Sequence, residues 1–284
     1  MTNLVALVDG SIYSRSVCDH AAWAAMRMGA GVELIHVIGR RQSSASPSDL
    51  SGAIGLGART SLLEELSELD SRMSRVAQTR GRAILEDAVG ILKEAGADEV
   101  SSRLRNGDLL EELQACEEDA DLIVIGKRGD AADFATGHLG SNLERIARAA
   151  KRPLLVVARA FKPIERAMVA YDGGPSAERA AAFMAESPLF EGIDCHLLTV
   201  GEPSVETRGR LKAAEARLQK AGRAVAVHTV PGQPDKAIID AVIAEKIDLL
   251  MIGAYGHSRI RNLIIGSTTT EMVRQCRIPV MMFR

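Results

Sequence analysis

Aromatic side chains are scarce in this chain: one Trp, three Tyr and five Phe among 284 residues, 3% in all. A platform for stacking unpaired bases needs rings, so single-stranded nucleic acid is not an expected partner, and the core must be built from Ala, Val, Ile and Leu. Cysteine is equally thin. Cys18, Cys116, Cys195 and Cys276 are scattered with no Cys-x-x-Cys pair, which argues against a disulfide framework or a zinc knuckle and suits a reducing cytoplasm. No apolar run approaches the roughly 18 residues that a bilayer span requires; the best, Leu122–Gly126 and Leu249–Gly253, end at glycine within one short strand's length. The apolar start, Leu4 to Val8, lacks a basic lead-in and runs into Asp9-Gly10-Ser11, which reads as a strand ending in a loop rather than a secretion signal. No membrane partner is expected.

A large charge of one sign is missing too. Acidic residues outnumber basic ones by 23 to 18 over residues 1–158, and basic outnumber acidic by 17 to 14 over 159–284, giving −5 and +3 and a net −2. Neither half can hold a nucleic-acid backbone by counter-ion release, but the second tolerates a small anion better. What the chain does have is 46% apolar and 25% charged residues. That is the profile of a globular protein, and a prior of about 150 residues per domain divides this length in two.

The division is visible as a repeat. Leu4 to Gly10 (LVALVDG) is echoed by Ala167 to Gly173 (AMVAYDG), and Leu34 to Val37 (LIHV) by Leu197 to Val200 (LLTV), both at an offset of 163. Asp121 to Gly126 (DLIVIG) answers Asp248 to Gly253 (DLLMIG) at 127, and Pro153 answers Pro279 at 126. The first unit, residues 1–158, therefore carries an insertion at about 40–80 that the second, 165–284, lacks.

Each unit alternates short apolar runs with helical periodicity. In the second, runs at 166–171, 195–200, 224–230, 248–252 and 279–283 read as buried parallel strands. Ser176–Glu186, Val205–Ala221, Pro234–Glu245 and Ser267–Cys276 read as helices, with Pro234 suited to a first turn. The expected fold is α/β: two repeated, doubly wound, five-stranded parallel sheets of Rossmann-like type, whose ligand site lies beyond the carboxyl ends of the strands where strand order switches. The fifth strands, Leu154–Ala158 and Val280–Phe283, are short apolar edges that invite pairing, either within the chain or in a homodimer. Within the insertion, Gln42–Gly57 reads as a flexible Ser/Gly loop rather than a dinucleotide fingerprint. Leu62, Leu66, Leu69, Met73 and Val76 then keep a near-heptad rhythm, read as the core-facing stripe of a long helix reaching Ala95.

One motif carries chemistry. After the second unit's fourth strand comes Gly253-Ala254-Tyr255-Gly256, then nine residues, then Gly266-Ser267-Thr268 opening a helix. Gly253 and Gly256 let backbone amides approach an anion and permit the positive φ angles that turn N–H groups inward. Gly266, Ser267 and Thr268 add helix-start amides, hydroxyls and the positive end of a macrodipole. His257 either touches phosphate or caps the loop, and Arg259 and Arg261 either reach a terminal phosphate or are simply solvated.

With these residues the chain resembles the universal stress protein family, as a tandem pair of its domains, over nearly its whole length. Members that bind ATP carry Gly, two residues, Gly, nine residues, Gly, then Ser or Thr, the spacing of the second unit. The resemblance implies the adenine nucleotide alpha hydrolase-like variety of the fold. It also implies Asp172 against the nucleoside, the backbone of Val200 toward adenine, and Gly253, Gly256, Gly266 and Ser267 around the phosphates of ATP, with Mg²⁺. Without the glycine motif Asp172 would read as a turn-former ahead of Gly173-Gly174.

The first unit departs from this pattern. Asp9 and Val37 are in place, but Gly126-Lys127-Arg128-Gly129 is followed by ten residues before Gly140-Ser141. Asp130 and Asp133 stand where the second unit has arginines, and an acid near phosphate is unfavourable. Lys127 and Arg128 are positioned to offset it, so nucleotide binding there is left open. Other chemistry finds little support. There is no Walker loop, and Asp172-Gly173-Gly174-Pro175-Ser176 lacks the leading Ser and inner Asp of the ATP-pyrophosphatase loop. His20, His36, His138, His196, His228 and His257 show no metal-ligand spacing, and no serine has a recognisable base partner. The expectation is a cytoplasmic ATP-binding regulator. A nucleotide-independent interaction protein of the same fold, or a slow ATP hydrolase, are the alternatives.

Overall fold

A computed structural model describes residues 3–39, 56–128, 141–253 and 267–284. The Ser/Gly stretch through residue 55, and Gly129, Asp130, Asp133, His138, Gly140, Gly256, His257, Arg259, Arg261 and Gly266 of the loop motifs, lie outside the described residues.

In the first unit the strands are β1 (Asn3–Leu7), β2 (Gly31–Gly39), β3 (Val100–Gly107), β4 (Leu122–Gly126) and β5 (Leu154–Val157). The helices between them are α1 (Ser14–Met28), α2 (Leu56–Glu94), α3 (Leu109–Cys116) and α4 (Ser141–Ala149). The second unit repeats the order with β6 (Arg166–Ala170), α5 (Pro175–Glu186), β7 (Asp194–Val200), α6 (Val205–Lys220), β8 (Val225–Val230), α7 (Pro234–Ala244), β9 (Leu249–Gly253), α8 (Ser267–Gln275) and β10 (Val280–Phe283). Its element bounds fall close to those read from apolar periodicity. Local chemistry explains several ends: Gly29 closes α1 at φ +59°, Asp108 accepts from Leu110 N and Glu111 N at the start of α3, and Ser204 accepts from Thr207 N ahead of α6. Pro175 and Pro234 occupy first helical turns, where their missing N–H costs no hydrogen bond.

The two five-strand sets join in a single sheet, ordered β3-β2-β1-β4-β5-β10-β9-β6-β7-β8. Neighbours are parallel within each set; β5 and β10 meet antiparallel, with Met281 opposite Leu155. The fifth strands are therefore not edges of the sheet: both are buried along their whole length. The edges are β3 and β8, and β8 is largely exposed rather than buried as its apolar run predicts. The sheet is covered on both faces by apolar clusters. One contains Trp23, Leu92, Phe190 and Phe283, the other Leu113, Ile146, Ile238 and Met272. Small residues let helices sit close: α1 buries Ala21, Ala22, Ala24 and Ala25.

The heptad stripe of α2 does not face the core. Of its described side chains Leu69, Met73 and Val76 are exposed and Leu66 is half-buried, and only the carboxyl-terminal part of the helix, with Leu85, Ala88 and Leu92, packs into the sheet. A helix of 39 residues is about 58 Å long at 1.5 Å per residue, longer than the strands it covers, so its first half projects past them.

Candidate functional site

In the second unit β6 has β7 on one side and β9 on the other, so strand order switches between β6 and β9. Beyond the carboxyl ends of those two strands lie Asp172, just after β6, and Gly253, the last residue of β9. Both helices that follow begin at this point. A Cβ on Gly253 would stand 2.9 Å from Ser176 Cβ and 3.6 Å from the Ala177 nitrogen, so the first turn of α5 presses on the strand end. No side-chain hydrogen bond caps α5, whose first turn begins beside the end of β9. On the other flank the buried Thr269, in the first turn of α8, donates its hydroxyl to Gly253 O at 3.2 Å.

These contacts change the reason for Gly253. It is not among the positive-φ glycines; close approach of α5, rather than left-handed backbone, requires the missing Cβ. Gly126 is the same case, since a Cβ there would lie 2.8 Å from Tyr13 Cβ at the N-cap of α1. Positive φ is found instead one residue after each strand-ending Asp, at Gly10 (+77°) and Gly173 (+76°).

Asp172 is exposed, and its Oδ1 accepts from Gly174 N at 2.8 Å, the turn-forming role. Asp9 repeats it, accepting from Ser11 N at 3.0 Å. Arg210 of α6 donates to Gly173 O at 2.7 Å and to Glu206 at 2.6 Å, and Thr199 donates to Tyr171 O at 3.0 Å, so the Asp172 turn is braced from two elements. Burial and the neighbouring Glu178, to which Tyr171 donates, push the Tyr171 hydroxyl's pKa well up, so it stays a donor. Val200 is the half-buried last residue of β7. Val37 does not end its strand, since β2 continues to Gly39.

Of the second unit's predicted set, Asp172, Val200, Gly253, Ser267 and Thr268 are carried by elements that end or begin on one side of the sheet. Thr269, which sequence reasoning passed over, supplies the tie between α8 and β9; the run of hydroxyls after Gly266 was its signal. The first unit places Gly126 at the end of β4 and Ser141 at the start of α4. Its Lys127 reaches the other unit. The amine is half-buried, donates to Cys276 O of the second unit, and burial lowers its pKa to about 8.

The donors around Gly253 are neutral helix-start groups from two helices converging on one strand end, a set that suits an anion. The described part of the crevice contains no acidic cluster that would hold a cation by itself. A separate cavity of about 490 Å³ opens at the opposite, amino-terminal ends of the strands, lined by Arg166, Asp194, His196, Val225, Glu245 and Lys246 among others. Contrary to the sequence reading, two histidines do pair beside it: His196, which lines the cavity, and His228 lie on neighbouring strands with ring nitrogens 2.9 Å apart. This cavity lies at the strand ends opposite Gly253.

The family model described as the universal stress protein family matches residues 1–158 and 202–284. Universal stress protein Slr1230 of Synechocystis is 37% identical over 287 residues, covering all of both chains. Universal stress protein Rv2005c of Mycobacterium tuberculosis is 26% identical, over 73% of this chain and 78% of its own. Among solved structures, a universal stress protein from Archaeoglobus fulgidus superposes with a TM-score of 0.71 at 22% identity, covering 99% of this chain and 98% of that one.

Proposed function

Because this chain belongs to the universal stress protein family, we propose that it is a regulatory protein that binds ATP with Mg²⁺, chiefly in the crevice of its second unit. The observation that carries this reading is the convergence at Gly253: a glycine closed upon by α5 on one side and tied through Thr269 to the start of α8 on the other. The spacing from Gly253 through Gly256 to Gly266-Ser267-Thr268 supplies the amides and hydroxyls for the phosphates. Each helix start contributes about 0.3–2 kcal/mol toward an anionic group, so useful affinity needs both. Asp172 faces the nucleoside side, and the end of β7 at Val200 offers backbone toward the base. Mg²⁺ would be held largely by the triphosphate itself, since Asp172 already accepts from Gly174 N and the helix-start groups beside it are donors to anions.

The first unit has the weaker claim. Lys127 is committed to Cys276 O, and two aspartates follow Gly129 in sequence. A binding role, rather than fast turnover, fits a cradle that shows no positioned general base among its described residues. The test is thermal unfolding of the full chain with and without MgATP. A ligand at about 100 times its Kd stabilises the fold by about 2.7 kcal/mol. A shift of that order with ATP, abolished by Gly266→Asp, supports the reading. No shift with ATP, ADP or AMP at saturation would replace it with a nucleotide-independent interaction protein. Repeated release of ADP would instead identify a hydrolase.

A further inference from the structure

Beside the cavity at the amino-terminal ends of β7 and β8 lies the one cluster of metal-ligating side chains among the described residues: His196 and Glu245, which line the cavity, and His228. His196 pairs in register with Ala226 of the adjacent strand. Two residues further along β8, on the same face, comes His228. Their rings lie within 9° of parallel with centroids 5.2 Å apart and Nδ1 of His196 2.9 Å from Nε2 of His228, the arrangement of near-coplanar rings meeting nitrogen to nitrogen. Only one proton fits between them. Glu245, just past the end of α7, brings Oε1 to 3.8 Å from His228 Nδ1. One ligand atom from each of the three lies within 4.8 Å of the others.

We propose that His196, His228 and Glu245 form a binding site for a single divalent transition ion of the zinc class, with water completing the coordination shell. Imidazole and carboxylate donors select such ions over Mg²⁺ or Ca²⁺, which prefer all-oxygen shells. Ligands about 2.0–2.1 Å from a tetrahedral ion stand about 3.3 Å apart, so the facing nitrogens must part by about 0.4 Å and their rings tilt until both lone pairs meet at the ion, which takes the place of the shared proton. The three residues differ in exposure in the way an open site requires: His196 is buried, while the side chains of His228 and Glu245 are 24% and 41% exposed. The cavity of about 490 Å³ leaves room for water ligands and a path inward. The charges lining it do not oppose a cation on balance: Arg166 and Lys246 are matched by Asp194 and Glu245, with Arg166 facing Asp194 at 4.0 Å. The carboxyl-terminal end of α7, negative by its macrodipole, also ends here.

The site is independent of the nucleotide crevice, which lies at the other ends of the strands. The test uses the full chain, stripped with a chelator and titrated with zinc against a chromogenic competitor. Cobalt is then substituted to read coordination from visible absorbance. One zinc per chain and cobalt bands of four- or five-coordinate intensity are expected. Glu245→Gln should weaken binding about 10–100-fold, as loss of a ligand or its orienting partner does. His228→Gln, on the exposed edge strand, should abolish stoichiometric uptake while leaving circular dichroism and the ATP-dependent thermal shift of the parent unchanged. Substoichiometric uptake by the parent at about a hundredfold excess of zinc, or parent-like uptake by folded His228→Gln, would overturn the proposal.

Discussion

Gly253 has no room for a side chain because Ser176 Cβ stands 2.9 Å from where its Cβ would be. Gly253→Ala must push α5 off the end of β9, and overpacking of this kind costs about 1–3 kcal/mol. Denaturant titration should show that loss together with weakened ATP binding; unchanged stability would contradict the close-approach account. The sequence announced a glycine at this place through its motif, but for a different physical reason, since packing across elements leaves no trace in local spacing. The histidine pair was hidden in the same way: His196 and His228 are far apart along the chain and meet only through strand register.

His20 is a second residue whose behaviour follows from its surroundings. It is fully buried, its Nδ1 lies 2.7 Å from Ser16 O, Nε2 has no hydrogen-bond partner, and Phe161 meets the ring edge-on at 4.9 Å. Burial lowers its pKa from 6.5 to about 4. The folded chain then binds fewer protons than the unfolded chain between these values. Stability therefore falls as pH drops from about 6.5 to about 4, by about 3 kcal/mol in all, and is not regained below. Stability measured across that window should slope more steeply in the parent than in His20→Leu; equal slopes would show that His20 titrates normally.

At the scale of elements, strands and helices of the second unit were legible because apolar residues repeat at the period each element demands. Periodicity says which residues share a face, not what that face meets. The α2 stripe shows the difference: its heptad rhythm predicts a helix, and the helix is there, but Leu69 and Val76 are exposed while Leu92 is fully buried. Leu92→Ala should therefore cost about 2–5 kcal/mol by leaving a cavity. Replacing Leu69 and Val76 together by Lys should change the stability of the dilute chain by less than about 0.5 kcal/mol each. A large loss from the double variant would mean that the stripe has a packing partner. Edge status was equally illegible. The run that forms β8 is as apolar as a buried strand's, and only its place at the end of the sheet exposes it.

At the scale of the molecule, the repeat was readable in matched strand ends, but not the manner in which the two sets meet. Short fifth strands advertise unpaired edges; the ten-stranded order places β5 beside β10 at the centre. The duplication also leaves the two crevices unequal. Gly126 and Gly253 hold the same relation to the helix beside them, whereas Lys127 reaches across to the other unit and the arginine-bearing stretch belongs to the second unit alone. Asymmetry of this kind predicts unequal sites, so the most direct measurement is calorimetric titration of the full chain with MgATP. The account predicts one tight site per chain, lost in Gly266→Asp and retained when Gly140→Asp alters the first unit. Absence of binding by the parent chain, or binding lost only in Gly140→Asp, would contradict it.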